Sequence, residues 1–155
     1  MNRVVRGWVA SIGVVTLSAC AQPAMNDITE ISVERDCFGC ATGSLLVLRR
    51  DGTATLSVVG KSRHATQSSS ASATLRLGDF DALVKLAAAK GFFQMQDSYE
   101  AADVQDGAWV TTRVRGGARD KFVVHRNAAG PEALKQLEAA IAALQARIPF
   151  VPDRR

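Results

Sequence analysis

Two short turns constrain this chain more than any other feature. Asp51-Gly52 separates the β-rich runs 44–50 and 53–59, and Gly116-Gly117 separates 109–115 from 118–125. Asp-Gly or Gly-Gly between such runs is the strongest short-range signal for an antiparallel hairpin, because a two-residue type I′ loop needs φ > 0 at both central positions. At Asp51-Gly52 a two-residue loop predicts that Leu45 and Val47 share the core face with Ala54, Leu56 and Val58. Leu46 and Leu48 then oppose Ser57 and Thr55 on a half-apolar second face. At Gly116-Gly117 the same rule predicts Trp109 opposite Val124, Thr111 opposite Phe122 and Arg113 opposite Asp120, the last a cross-strand ion pair.

Other elements follow from periodicity. Thr29, Ile31 and Val33 alternate with Glu30, Ser32 and Glu34, a half-buried strand. The serine-rich stretch 61–72 reads as a polar loop before a short strand at 73–77. Phe80, Leu83, Val84 and Ala87 fall at i, i+3, i+4 and i+7, and Gly91 is placed to end that helix. A second helix starts at Gly130-Pro131, carries Leu134, Leu137, Ile141, Leu144 and Ile148 at helical spacing, and stops before Pro149; Lys135, Glu138 and Gln145 are assigned to its far side. The polar stretch 94–108 is read as a long loop. The expected fold is α+β, a mainly antiparallel sheet with two helices packed on one face, in the order β-β-β-β-α-β-β-α.

The N-terminus carries an address. Arg3 and Arg6 precede an apolar run from Gly7 to Leu17, the n-region and h-region of an export signal, too short for the roughly 20 apolar residues of a spanning helix. Leu17-Ser18-Ala19-Cys20 follows and resembles the bacterial lipobox, which implies a lipid on the Cys20 thiol and cleavage before it. The resulting division is a lipoprotein signal peptide over 1–19, a lipidated N-terminus and tether over 20–27, and a single α+β domain over 28–150. By the same resemblance, Ala21 and Gln22 after the cysteine imply sorting to the periplasmic face of the outer membrane, with the bilayer as partner through acylated Cys20. Of 19 basic residues Arg3 and Arg6 leave with the signal, so 17 stand against 15 acidic ones. That balance argues against a nucleic-acid partner.

In Cys37-Phe38-Gly39-Cys40 the two thiols can close within a tight turn, whose Cα separation below about 7 Å overlaps the disulfide range. Passage through an oxidising compartment favours a structural disulfide between Cys37 and Cys40. A redox dithiol and an unpaired state are the alternatives. A thioredoxin-like dithiol wants its first cysteine at a helix N-terminus after a parallel strand, and a strand-rich segment stands here instead. Haem attachment fails because Ala41 occupies the histidine position, and zinc lacks a second ligand pair.

The remaining polar groups suggest no catalytic set, cofactor or metal site. His64 and His125 are read as solvated, and no nucleophile elbow accompanies them. Asp97, Glu100, Asp103 and Asp106 lack the glycine and terminal glutamate of a calcium loop. Arg113, Arg115, Arg119, Lys121 and Arg126 read as a solvated basic hairpin, with contact to anionic headgroups open.

Taken together, Cys37-Phe38-Gly39, Asp51-Gly52-Thr53, Phe92-Phe93, Tyr99, Gly116-Gly117 and the final leucine-rich helix resemble the family called domain of unknown function 6438, over about residues 28–147. That family's pattern reads Cys-Phe-Gly-x-Cys-Pro. Here the second cysteine stands one place earlier, at Cys40, with Ala41 and Thr42 where the cysteine and proline would be. The resemblance implies an exported protein or lipoprotein and no known activity. The expected function is a membrane-anchored periplasmic lipoprotein, a binding or envelope-accessory module with an envelope protein as partner. A thiol-redox protein using Cys37 and Cys40 is the alternative, and an inhibitor of a cell-wall enzyme is a third reading by analogy of size and shape.

Overall fold

A computed structural model describes residues 25–100 and 107–154; Cys20, Asp103 and Asp106 lie outside them. The strands are β1 (Glu30–Cys37), β2 (Thr42–Arg49), β3 (Thr53–Gly60), β4 (Ser69–Thr74), β5 (Ser98–Tyr99), β6 (Ala108–Gly116), β7 (Arg119–Arg126) and β8 (Val151–Pro152). Helix α1 (Leu77–Ala89) lies between β4 and β5, and α2 (Glu132–Gln145) between β7 and β8. Among the described residues the eight strands form one sheet in the order β5-β7-β6-β1-β2-β3-β4-β8, antiparallel except for β5 beside β7. The α+β class and mainly antiparallel sheet match the expectation; the two-residue strands β5 and β8 are additions to the expected order. No helix among the described residues is long and apolar enough to cross a membrane.

One sheet face carries the core. Across it Ile31 pairs with Leu48 and Val114, Val33 with Leu46 and Thr112, and Leu46 with Leu56. Phe80, Leu83, Val84 and Ala87 of α1, and Leu134, Leu137, Ile141 and Leu144 of α2, join these in a single buried cluster. Both apolar stripes are the ones periodicity marks, except that α2 ends at Gln145 and leaves Ile148, expected as its last turn, half-buried beyond the helix. Gly91 follows α1 with φ of 68°, the left-handed stop that glycine adopts at no steric cost. Pro131 stands at the N-cap, one place before its expected first helical position.

The first hairpin corrects the expected register. Leu48 pairs with Ala54, so the loop holds three residues, Arg50-Asp51-Gly52. Leu46 and Leu48 are therefore the buried pair, at 1% and 0% exposure, and Leu45 and Val47 lie half-buried on the open face. A one-residue slip exchanges the faces of a strand. The cause is Arg50, which leaves the ladder to hold the incoming chain: its amide donates to the Thr29 carbonyl at 3.0 Å, and its side chain donates to the carbonyls of Ile28 and Met25 and pairs with Asp81. Only Gly52 then needs positive φ, at 91°, the usual three-residue geometry with glycine last. The Asp51 carboxylate accepts from the Thr53 amide and hydroxyl and closes the turn.

The second hairpin is displaced by two residues, which keeps its faces. Gly116 pairs with Arg119, and the loop is Gly117-Ala118. Arg113 thus opposes Phe122, and Trp109 opposes Arg126, while Arg113 reaches Asp120 diagonally. Gly116 stays in the strand because the N-terminal segment crosses it: a Cβ there would lie 2.0 Å from the Asp27 carbonyl oxygen.

A third correction concerns 69–74, expected partly as loop. Ser69–Thr74 pairs with β3 through Ala71 and Ala73, which face Leu56 and Ala54, while the serines point away. Leu77, expected as a strand end, opens α1.

Candidate functional site

The chain enters at the sheet end that carries both hairpin loops, and β1 runs from there to its far end at Cys37. Seven residue steps of about 3.3 Å put the disulfide turn roughly 23 Å from the entry point. Cys37 and Cys40 are bonded, with a Cα separation of 5.3 Å, and the bond closes the β1–β2 connection. Phe38, inside this ring, is 62% exposed. Cys37 ends a strand paired with β6 and does not stand at the N-terminus of a helix.

Lys61 organises this end. Its ammonium donates to the Cys37 carbonyl oxygen at 2.6 Å and to the Asp36 carboxylate, and lies 5.8 Å from the centroid of Trp109. The Asp36 carboxylate also accepts from the Cys37 amide at 2.6 Å. Gly43 sits beside this group; a Cβ there would approach the Asp36 carboxylate at 3.1 Å. The disulfide, Arg35, Asp36, Thr42 and Val58 line a shallow depression of about 280 Å³. Nothing in the polar stretch around Lys61 marks it in advance, because its partners are brought by β1 and β6.

The histidines part company. His64 is exposed in a short 3-10 turn, as expected. His125, read as solvated, is 5% exposed. Its Nε2 lies 2.9 Å from Glu138 Oε2, and Glu138 Oε1 accepts from the Thr112 hydroxyl at 2.8 Å. Glu138, assigned to the far side of α2, therefore turns inward. It stands i+4 from Leu134, within the arc that packs on the sheet. Among the described residues, His125 Nδ1 is buried without a hydrogen-bond partner. The carboxylate sits between the hydroxyl and the imidazole, an order that does not activate the hydroxyl through the imidazole.

The basic hairpin is matched group by group. Arg113 pairs with Asp120, Arg115 with Glu30, Lys121 with Asp97 and Arg126 with Glu100, and Arg119 stacks on Phe93 at 4.7 Å. Arg113 holds the Asp120 carboxyl below its ordinary value by hydrogen bonding. Asp97 and Glu100 are thus ion-pair partners of β7. Among the described residues no three His, Cys, Asp or Glu side chains are gathered as a metal site.

At the entry end Glu30 is 8% exposed although it faces the open side. Arg49 Nε lies 3.0 Å from its Oε2 and an Arg115 guanidinium nitrogen 2.9 Å from its Oε1. Sequence alternation gives no hint of this, since β2 and β6 bring the two arginines from either side of β1. The chain matches no family model, and no curated protein matches it.

Proposed function

We propose that the chain is an envelope lipoprotein, acylated at Cys20 and carried on the periplasmic face of the outer membrane, whose domain acts as a binding or accessory module. The run Leu17-Ser18-Ala19-Cys20 behind a basic and then apolar segment carries this reading. The motifs that resemble the domain of unknown function 6438, a family of exported proteins and lipoproteins, agree with it. Support comes also from the entry geometry. Met25, the first described residue, is five residues from Cys20, a reach of at most about 18 Å. From there Arg50 ties the segment to the sheet. The helices leave the second sheet face open, where Val47 and Leu45 are half-buried and Phe122 is 41% exposed, a surface suited to an envelope protein partner. Labelled palmitate supplied to cells making the wild type and Cys20→Ala chains tests the anchor; label is expected in the first only.

A thiol-redox role for Cys37 and Cys40 is the second reading. The exposed position of their turn, with Lys61 against the Cys37 carbonyl, favours it. Insulin reduction that is lost in Cys37→Ser would put this reading first, and absence of turnover would leave a structural bond.

A further inference from the structure

Along the open sheet face the charged side chains are paired, with one exception among the described residues. Arg49 and Arg115 hold Glu30, Arg113 grips Asp120 through two nitrogens, Lys61 covers Asp36 and Arg126 reaches Glu100. Glu34, in the middle of β1, is exposed and has no ion-pair or hydrogen-bond partner among the described residues. Arg113, the cation diagonal to it, is turned onto Asp120. The Arg49–Glu30–Arg115 group lies four residues along β1, about 13 Å away, beyond a Debye length of about 8 Å. The cross-strand neighbours of Glu34 are Leu45 and Thr111, and Val47, Val124 and Phe122 stand farther out on the same face.

We propose that Glu34 is the specificity centre of a docking face for an envelope protein that presents one arginine within an aliphatic patch. The proposal deepens, and rests on, the reading of the domain as a binding module. A partner that closed over Glu34 without bringing a cation would strand a buried charge, so the carboxylate favours an arginine and disfavours neutral or acidic surfaces. Arginine fits better than lysine: its fork takes both carboxylate oxygens, and the Ser32 and Thr111 hydroxyls beside Glu34 can accept from the N–H groups left over. From β7 to β4 the face spans about 24 Å by 23 Å, roughly 550 Å² in projection, the scale of one side of a specific interface at about 800 Å². A second copy cannot supply the cation. Two copies anchored side by side on one membrane share a two-fold axis along the strands, so each cross-strand row meets its own counterpart. The row of Glu34 reads Val124, Thr111, Glu34, Leu45, Ser57, Ser70 and holds no cation.

The test uses cells making the full-length chain with the photocrosslinking residue p-benzoylphenylalanine at position 55, on the open face opposite Val47, or at position 142, on the exposed side of α2. Irradiation is expected to join position 55 to one protein whose crosslinked region, read by mass spectrometry, carries an arginine. Glu34→Gln should cut the yield at least about tenfold, the scale of a close interfacial charge pair, with the urea midpoint of the protein unchanged. Glu34→Arg should abolish the crosslink, and changing the partner's arginine to glutamate should restore it. A yield that neither Glu34 variant lowers overturns the proposal, as does a crosslink to a second copy of the chain or a failed restoration. Crosslinks from position 142 alone overturn it and leave the binding-module reading standing, whereas silence at both positions removes both.

Discussion

Glu138→Ala removes the centre of the buried polar group and should cost about 3–5 kcal/mol, as breaking a buried pair does. The sum can be built from the parts. The Thr112 hydroxyl, fully buried, loses its acceptor at 2.8 Å, and His125 Nε2 loses its partner at 2.9 Å. Each stranded group costs about 1–3 kcal/mol. His125 Nδ1 already lacks a partner among the described residues, so within them the variant imidazole would be buried with neither nitrogen bonded. Against a usual domain stability of about 5–15 kcal/mol the loss is easily read by urea unfolding of the oxidised protein, with Trp109 fluorescence as signal. The triple change Thr112→Val, His125→Leu, Glu138→Leu removes every polar atom together and should lie within about 2 kcal/mol of wild type. A Glu138→Ala loss below about 1 kcal/mol refutes the reasoning, because it would mean that water or a local shift satisfies both groups.

Three further outcomes are expected. Asp51, held below the ordinary value of 3.8 by the hydroxyl and then the amide of Thr53, stabilises the fold above its unfolded pKa, a contribution lost as pH falls through its lower folded value; Asp51→Asn should flatten the acid limb of stability against pH in urea titrations. Reducing Cys37–Cys40 should cost at most about 2 kcal/mol, since so short a loop restricts the unfolded chain little, and the circular dichroism of the reduced protein should stay native. Arg50→Ala should release the segment around Met25 and Ile28, seen as faster exchange of the amides of Thr29 and of residue 50 and as new proteolytic cleavage near Met25.

How far the sequence could be read depended on how local each signal was. Both helices were legible because their stripes, Phe80 to Ala87 and Leu134 to Leu144, are internal to one element. The hairpins were legible as hairpins but not in register, because Arg50 is drawn out by Thr29, Ile28 and Asp81, and Gly116 is kept in the strand by the crossing of Asp27. The disulfide was the favoured reading of the spacing taken with export, beside a redox dithiol and an unpaired state, and Cys37 and Cys40 are bonded. Lys61, Glu30 with its two arginines, and the Thr112–Glu138–His125 group were hidden because each unites residues of different elements, 13 or more positions apart, and the inward turn of Glu138 rests on a single step along a helix face. Glu138 lies beside Leu137 and was one such step from the far side. Strands β5 and β8, two residues each, exist through pairing with β7 and β4 and carry no pattern of their own.

The most direct test of the central claim, a domain held at the membrane through Cys20, is the mass of the mature N-terminus from isolated envelopes, read beside palmitate labelling. The account predicts a chain that begins at Cys20 with acyl mass on that residue, and an unlabelled Cys20→Ala variant. A mature chain starting elsewhere without lipid, or label that persists in Cys20→Ala, contradicts it.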